Sequence, residues 1–175
     1  MKDSVVLVDE HDLEYGSMEK YEAHKKGKLH RAFSIFIINN SRQLLLQKRA
    51  FTKYHSAGLW SNTCCSHPRP GEDIHTAAKR RLMEEMGFDC DITEQFSFIY
   101  KTSLENQLIE YEFDHILLGK YSEDPLPDPA EVAEWKWLNF DKVSNDLEQN
   151  RQKYTYWFPL IWDKIKNSRD FSLPL

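Results

Sequence analysis

The 175-residue chain has little of several features that mark specialised classes of protein. It contains three cysteines, an odd number with two of them adjacent, which argues against a disulfide framework and for reduced thiols in the cytoplasm. Apolar runs stay well below the length of a membrane span, and Asp9 and Glu10 interrupt the short one that follows residues 1–4, so we expect neither a membrane anchor nor a signal peptide. The net charge of −5, without a long block of like charge, argues against a general nucleic-acid binder.

The composition that is present predicts one globular domain over residues 1–175, which we expect to be a monomer. Hydrophobic residues make up 41% of the chain and charged residues 29%, enough for one hydrophobic core. Aromatic residues reach 13% and include five tryptophans. They fit either a core of large side chains or an apolar cavity lined by ring faces.

Hydrophobic periodicity and turn residues divide the chain into strands and helices. The strongest helical pattern covers residues 73–86, with Asp73 as a plausible N-cap and Gly87 at the point where a helix stops. Two more helices are predicted over residues 141–149 and 159–166, a turn over residues 11–16, and a short helix or loop over residues 19–27. Strands are predicted at residues 5–8, 33–38, 43–49, 60–65, 95–101, 108–118 and 134–138. The sum is a mixed α/β sandwich in which strands outnumber helices.

The segment TCCSHP at residues 63–68 is the most informative part of the sequence. In an extended chain residues 63, 65 and 67 point to one face, so Cys65 and His67 would look into the same cavity, while Cys64 would turn toward the core. A thiol beside a metal-binding imidazole can donate or accept a proton. Because cysteine is a common core residue, a lone Cys-x-His is more often structural, and the functional interpretation needs support from the rest of the chain.

That support comes first from the strand over residues 108–118, which is acidic in the middle of one face. Glu110, Glu112 and Asp114 alternate with apolar or aromatic side chains on the other face. One interpretation is a half-exposed strand whose acidic face is solvated. The other is that Glu110 and Glu112 converge on a divalent cation, which would relieve the repulsion between them.

Histidines are the natural companions of such a pair. His24 and His30 flank a Lys/Gly turn before the first core strand, and His67 follows Cys65. Three imidazoles with two carboxylates suit Mn²⁺, Fe²⁺ or Zn²⁺ better than Mg²⁺. The remaining histidines are predicted to have ordinary surface roles, and they are His11, His55, His75 and His115.

The segment RRLMEEMGF at residues 80–88 resembles the second half of the Nudix box, whose glutamates hold Mg²⁺ against a diphosphate. The box is incomplete here, because Arg81 stands where the family has a glutamate and Ser66 where it has its opening glycine, although Glu72 is kept. Nudix hydrolases use that missing glutamate to bind the metals that activate water. The resemblance therefore implies a Nudix fold and a diphosphate ligand but argues against hydrolysis.

Over about residues 5–165, the chain resembles the type I isopentenyl-diphosphate isomerases. The segments that carry this resemblance are EKY at 19–21 with His24, LHRAF at 29–33, QKRA at 47–50, WSNTCCSHP at 60–68, the incomplete box and EYE at 110–112. It implies an α+β fold in which a Nudix-type mixed β-sheet is sandwiched between helices. It also implies the interconversion of isopentenyl and dimethylallyl diphosphate, in which one carbon gains a proton, a tertiary carbocation forms, and another carbon loses a proton.

The resemblance assigns the proton transfers to Cys65 and Glu112 on opposite faces of the substrate, with Tyr100 beside Glu112 to assist it. Trp157 matches a tryptophan that faces the carbocation, which a ring face stabilises by about 2 kcal/mol or more once it is desolvated. The alternative for Trp157 is ordinary core packing. The sequence leaves open which of Cys65 and Glu112 donates the first proton.

The resemblance also implies two metal positions and a phosphate-binding set. The expected ligands of a first ion, which is Mn²⁺, Zn²⁺ or Fe²⁺, are His24, His30, His67, Glu110 and Glu112. Glu85 is expected to hold a second ion, Mg²⁺, that arrives with the diphosphate. The expected cations for the phosphate oxygens are Lys20, Arg49, Lys53 and Arg81.

Two other functions stay open at this point. A Nudix diphosphohydrolase would share the helix of residues 73–86 but would have no need of Cys65 or the three histidines. A metal- or nucleotide-sensing module without catalysis would keep the binding groups and lose the reaction.

Overall fold

The computed structural model describes residues 3–167. Residues 1–2 and 168–175, the two ends of the predicted domain, lie outside the described residues. Within residues 3–167 nine strands form one mixed sheet. The strands are β1 (Ser4–Val8), β2 (Glu14–Glu19), β3 (His30–Ile38), β4 (Gln43–Arg49), β5 (Trp60–Ser61), β6 (Cys64–Ser66), β7 (Ile92–Ser103), β8 (Ile109–Lys120) and β9 (Val132–Asn139). The α-helices are α1 (Lys20–Lys26), α2 (Ile74–Met86), α3 (Phe140–Asn150) and α4 (Trp157–Asn167), and short 3-10 helices cover Glu105–Gln107 and Arg151–Lys153.

Strand β3 is the centre of the sheet and sets the register of the candidate site. It runs parallel to β8, with His30 opposite Glu112. On β8's other side, antiparallel β7 places Tyr100 opposite the same glutamate. Antiparallel β6 places Cys65 opposite Ser34 of β3. Residues that are distant in sequence are therefore held in adjacent rows by backbone pairing.

Helices cover both faces of this sheet, which confirms the predicted sandwich. Alternate residues of β3 point to opposite faces, so Phe33, Ile35 and Ile37 pack with α2 on one side. Phe36 and Ile38 pack with α3 and α4 on the other. Each large apolar side chain that is fully buried in this way contributes about 1.5–3 kcal/mol.

Helix α2 has the ends that its sequence predicts. The Asp73 side chain accepts hydrogen bonds from the backbone N–H groups of His75 and Thr76 at the N-cap. Gly87 closes the helix in the left-handed conformation with φ 76°, and its N–H bonds to the carbonyl of Met83. A Cβ at position 87 would come within 2.3 Å of the Leu126 carbonyl oxygen, so glycine is required there for space as well as for φ.

The predicted strand over residues 60–65 is wrong in its middle, because the structure has two short strands there. Asn62 and Thr63 separate β5 from β6, and their side chains take over hydrogen bonds that a regular ladder would make. The Asn62 amide donates to backbone carbonyls of β3 and β6, and the Thr63 hydroxyl donates to a carbonyl of β4. Cys65 and His67 still face one cavity as predicted, whereas Thr63 lies in the core.

Other elements match their predicted positions to within a few residues. The predicted turn over residues 11–16 is shorter than expected, because β2 begins at Glu14. The undecided segment at residues 19–27 contains helix α1, with the Glu19 side chain as its cap. No helix within residues 3–167 combines the length and the apolar character needed to cross a membrane.

Candidate active site and metal centre

The structure gathers the predicted site residues around a single cavity. Those that line it are Lys20, Arg49, Lys53, Cys65, His67, Arg81, Glu85, Tyr100, Glu110, Glu112 and Trp157. The other two, His24 and His30, are fully buried and pack their rings against His67, at centroid distances of 5.8 and 5.0 Å. The set predicted from sequence is therefore contiguous in space.

Backbone carbonyls orient two of these histidines. The Nδ1 atom of His24 lies 2.8 Å from the Lys20 carbonyl oxygen, and that of His30 lies 2.8 Å from the Lys28 carbonyl oxygen. Because a carbonyl only accepts, Nδ1 carries the proton in both rings and Nε2 keeps its lone pair. Both Nε2 atoms are buried and have no hydrogen-bond partner among the described residues. This is the arrangement by which proteins present histidine to a metal.

Four side chains converge on one point. The ligand atoms of His24, His30, His67 and Glu112 all lie within 4.8 Å of one another. The Oε1 atom of Glu112 is 2.9 Å from Nε2 of His67 and 3.5 Å from Nε2 of His30. Since metal–nitrogen bonds are about 2.0–2.1 Å long, ligands of one ion are separated by about 3–4 Å, and this set fits a divalent ion that accepts nitrogen and oxygen.

Glu110, the fifth predicted ligand, falls into a neighbouring group. Its carboxylate, with His24 and His55, forms a second set of ligand atoms within 4.8 Å of one another. The two groups share His24. The assignment of all five residues to one ion stays a prediction.

The acidic face of β8 is buried, which rules out the interpretation of this segment as a half-exposed strand with a solvated acidic face. Glu110, Glu112 and Asp114 are 4%, 6% and 0% exposed. Burial and the charge of Glu112 raise the pKa of both Glu110 and Asp114 well above the usual range. Burial also acts to raise the pKa of Glu112, but the adjacent imidazoles of His30 and His67 outweigh it and hold that pKa well below its usual range. Negative charge is therefore concentrated on Glu112, beside the histidines.

Tyr100 sits beside Glu112, as predicted. Its hydroxyl donates a 2.6 Å hydrogen bond to Oε2 of Glu112, on the carboxylate oxygen away from His67. Burial, with the charge of Glu110 next, raises the pKa of Tyr100 well above its usual range, so the hydroxyl keeps its proton. The contact is in place, and its part in proton transfer stays a prediction.

Polar groups surround the thiol of Cys65. The thiol donates to the side-chain oxygen of Asn62 at 2.9 Å, and the indole N–H of Trp157 reaches the sulfur at 3.2 Å and the Ser61 hydroxyl at 3.0 Å. Burial, followed by the charge of Asp114, raises the pKa of Cys65 to about 12. Cys65 is thus a protonated thiol at neutral pH, held by neighbours that define its orientation.

The cationic side of the cavity is partly neutralised by carboxylates. Arg81 donates to Glu85 at 2.5 Å, and Lys53 forms an ion pair with Glu131. Gln47 also donates to Glu85, at 3.0 Å, so this buried carboxylate is held from both sides. The arrangement concentrates positive groups around one carboxylate that projects into the cavity.

Lys20 and Arg49 complete this side. Burial lowers the pKa of Lys20, with the charges of Lys53 and Arg81 acting in the same direction. The guanidinium of Arg49 lies 5.5 Å from the centre of the Trp157 ring and donates to the His55 carbonyl oxygen at 3.3 Å. Cations crowded in this way favour an anionic ligand.

Comparison with known proteins agrees with this geometry. Residues 28–158 match the family model described as NUDIX domain. Isopentenyl-diphosphate Delta-isomerase 1 of Aromatoleum aromaticum is 50% identical over 170 residues, which are 97% of this chain and 96% of that protein. Isopentenyl-diphosphate Delta-isomerase 2 of Photorhabdus laumondii is 52% identical over 161 residues, 92% of this chain and 91% of that protein. The chain belongs to the type I isopentenyl-diphosphate Delta-isomerase family of NUDIX proteins.

Solved structures bear out the fold of this isomerase family. A crystal structure of a Deinococcus radiodurans protein superposes with a TM-score of 0.74 and 16% sequence identity, covering 90% of this chain and 96% of that one. At that identity the likeness concerns the fold alone. The predicted Nudix-type sheet between helices is confirmed.

Two histidines that were predicted at the surface are buried, so that prediction is wrong for them. His55 is 6% exposed and lines the cavity, because the loop between β4 and β5 folds over it. His115 is 9% exposed and hydrogen-bonded to Glu94 on one ring nitrogen and Asp12 on the other, where the turn before β2 covers β8. The histidines that are exposed as predicted are His11 and His75.

Proposed function

We propose that this protein interconverts isopentenyl diphosphate and dimethylallyl diphosphate. The observation that supports the proposal is that Cys65 and Glu112, the two groups proposed to transfer protons, line one cavity. Cys65 with Asn62 and Trp157 forms one group, and Glu112 with Tyr100 forms the other. The similarity to isomerases over nearly the whole chain supports the same function.

The two groups approach the cavity from different strands. Cys65 of β6 lies opposite Ser34 and Glu112 of β8 lies opposite His30, on two of the strands that pair with β3. The four-residue offset along β3 separates the two positions by about 13 Å in the strand direction. The side chains of Cys65 and Glu112, extending toward each other from these two positions, would leave space for a small alkene between them.

In the proposed reaction one of these groups gives a proton to an alkene carbon and the other removes a proton from a different carbon, so the substrate gains and loses one proton. The tertiary carbocation between the two steps needs a site that excludes water, and the buried rings of Tyr100 and Trp157 form apolar parts of the cavity wall. The Trp157 ring, 3% exposed and already 5.5 Å from a guanidinium, would stabilise the cation by about 2 kcal/mol.

The metal centre is part of the proposal. His24, His30, His67 and Glu112, with Glu110 as the fifth predicted ligand, would hold Mn²⁺, Zn²⁺ or Fe²⁺, and the buried Nε2 atoms described above support the fit. When bound, the ion would supply positive charge that balances the buried carboxylates. Glu85 would hold Mg²⁺ that enters with the diphosphate.

The diphosphate would bind at the cationic side of the cavity. The residues proposed for it are Lys20, Arg49, Lys53 and Arg81. Arg81 occupies the position of a Nudix glutamate that hydrolases use, so the site would bind a diphosphate without activating water against it. We also propose that the protein is a cytoplasmic monomer.

The decisive experiment is proton NMR of the purified protein with isopentenyl diphosphate in D₂O, with Mn²⁺ and Mg²⁺ present. The expected product is deuterium-labelled dimethylallyl diphosphate without release of phosphate, since the thiol and carboxyl protons exchange with solvent. Free phosphate would favour a diphosphohydrolase instead. Unchanged substrate that nevertheless binds would favour a sensing module.

A further inference from the structure

The loop between β4 and β5, over residues 50–59, carries side chains that reach the cavity. Those that line it are Lys53, Tyr54 and His55. Lys53 and Tyr54 also line an adjoining outer recess, which shares with the cavity Lys20, Ser66, His67 and Arg81. Backbone hydrogen bonds fix the ends of the loop, such as the one from Gly58 to the Arg49 carbonyl oxygen at 3.1 Å. The position of the side chains in between depends on what holds the middle of the loop.

The middle of the loop is held by the turn between β7 and β8. The backbone N–H of Ser56 donates a hydrogen bond to the Glu105 carboxylate, and the Asn106 side-chain amide donates to the Tyr54 carbonyl oxygen at 3.4 Å. Ser56 is 1% exposed, so without this carboxylate its N–H would be left buried and without a partner. Because a hydrogen bond to a carboxylate is stronger than one between neutral groups, Glu105 makes the stronger of the two contacts.

Both partners of this contact belong to segments with an unusual backbone conformation. Ser56 has a φ of 51°, and Asn106 and Gln107, the two residues after Glu105, have φ values of 60° and 59°. Residues other than glycine rarely adopt this left-handed region, and they stay there when surrounding contacts over-determine the geometry. The hydrogen bonds between the loop and the turn are such contacts, so each segment supports the conformation of the other.

Glu105 itself lies outside the reaction site. Its side chain is exposed and lines a separate surface groove with Leu59 and Tyr156, and it does not line the cavity. Lys53, three residues before Ser56, is a proposed contact of the diphosphate. A change at Glu105 therefore acts on a bound diphosphate either through the loop or through the loss of its charge.

We propose that Glu105 is a positioning residue for the diphosphate: by holding Ser56 it keeps Lys53 and Tyr54 where the cavity meets the outer recess. The identity of the anion rests on the proposed function. A loop that is already ordered binds more tightly than one that the ligand has to order, so this contact contributes to affinity without touching the ligand.

The sign of the effect separates the contact of Glu105 from its charge. A carboxylate near a cationic cavity disfavours an anion, so removal of its charge alone would strengthen anion binding. Loss of the contact with Ser56 would weaken it. Glu105→Ala removes the charge and the contact, whereas Glu105→Gln removes the charge and keeps a side-chain oxygen that can accept from Ser56.

The experiment compares these two variants with the unsubstituted full chain. Hydrogen exchange at the Ser56 amide reports on the loop, and calorimetry with pyrophosphate and Mg²⁺ reports on anion binding. Steady-state turnover of isopentenyl diphosphate gives kcat and KM. Glu148→Ala is the matched control, because Glu148 is an exposed glutamate of α3 that lines neither the cavity nor the outer recess.

We expect Glu105→Ala to speed exchange at the Ser56 amide by about tenfold or more. The Kd for pyrophosphate and the KM should rise by about threefold to tenfold, which is part of what a hydrogen bond between charged groups contributes. The kcat should change by less than about twofold, since Cys65 and Glu112 lie on strands that the loop does not hold. Glu105→Gln and Glu148→Ala should bind pyrophosphate at least as tightly as the unsubstituted protein does.

Two results would overturn the proposal while the isomerase function stands. One is unchanged exchange at the Ser56 amide in Glu105→Ala. The other is faster exchange there with unchanged or tighter binding of pyrophosphate. If Glu105→Ala weakens pyrophosphate binding in a protein that leaves isopentenyl diphosphate unchanged, the isomerase function fails and the role of Glu105 in diphosphate binding stands. Failure of the unsubstituted protein to bind pyrophosphate would overturn both.

Discussion

Two adjacent cysteines divide the molecule into a packing side and a chemical side. Cys64 is fully buried among the apolar side chains beneath α2. Cys65, one residue later, points to the opposite face of the sheet, where Asn62 and Trp157 contact its sulfur. Both thiols are protonated at neutral pH because burial raises their pKa. The two thiols therefore differ in their surroundings and not in their protonation.

The same contrast runs along strand β8. Ile116 belongs to the apolar cluster with α4, but the preceding residues of the same face are Asp114, Glu112 and Glu110. Burying several carboxylates is costly unless cations or hydrogen bonds compensate for them. The cavity lies where this face changes from apolar to acidic. The buried carboxylates lower the stability of the fold there, and a bound cation would offset that loss.

Replacing Cys65 should have the largest effect on the chemical side. We expect Cys65→Ala to lower turnover by about 10³-fold or more, because it removes one of the two groups proposed to transfer protons, while diphosphate binding stays nearly intact. Steady-state turnover and substrate binding by calorimetry measure the two effects. Cys90→Ala, the same change at a half-buried thiol outside the cavity, is the control. Near-normal turnover in Cys65→Ala would remove this thiol from the mechanism.

Loss of the Tyr100 hydroxyl should have a smaller effect. Tyr100→Phe removes one hydrogen bond to the Glu112 carboxylate, an interaction of about 1.5–3 kcal/mol, so turnover should fall by about 10–100-fold. The matched control is Tyr154→Phe, which removes a buried tyrosine hydroxyl that donates to Asp146 at 2.5 Å outside the active cavity. It should lower the unfolding free energy without lowering turnover. Equal turnover in the two variants would contradict the role of Tyr100.

The stability of the metal-free protein should depend on pH through its buried histidines. Burial lowers the pKa of His24 to about 4, that of His67 to about 3 and that of His55 to about 2. The unfolded chain, with histidine pKa values near 6.5, therefore binds more protons than the folded chain below that pH, and the unfolding free energy falls as pH falls from 6.5 toward 4. Each such histidine contributes about 1.4 kcal/mol per pH unit in this range.

Buried carboxylates oppose this trend, because a raised pKa, as at Glu110, makes the folded state take up protons as pH falls. The comparison of variants separates the two effects. Urea unfolding at pH 7.5, 6.5 and 5.5 with a chelator present should give a shallower pH slope for His55→Gln than for the unsubstituted protein. The exposed His75→Gln should leave the slope unchanged. An unchanged slope in His55→Gln would show that this histidine is protonated in the folded state.

Local signals in the sequence predicted the parts of the fold that depend on neighbouring residues. Asp73 and Gly87 mark the ends of α2 because the Asp73 carboxylate and the left-handed backbone of Gly87 both act within one turn. The interruption between β5 and β6 could not be predicted in this way, because it depends on hydrogen bonds from Asn62 and Thr63 to strands β3, β4 and β6. A periodic pattern of residues predicts the type of an element. The hydrogen-bond partners of a polar side chain cannot be predicted from that pattern, because they lie in distant parts of the chain.

The residues of the candidate site also differ in whether local sequence predicts them. The spacing of Cys65 and His67 and the alternation of Glu110 and Glu112 predict that these residues share a face, and all four line one cavity. The burial of His55 was missed, because it follows from a loop that closes over α1. The only local signal was its position two residues after Lys53, a predicted phosphate contact.

Cys64 provides the smallest and most direct check of the packing side. Cys64→Ala removes one sulfur from a filled core and should lower the unfolding free energy by about 1 kcal/mol, with turnover changed less than about twofold. Urea unfolding and steady-state turnover on the same sample measure both quantities. Cys64 is linked to the cavity through Glu85, whose charge helps burial to raise the pKa of Cys64. A tenfold loss of turnover would therefore mean that Cys64 holds Glu85 in place, and that the sheet does not separate packing from chemistry at this residue.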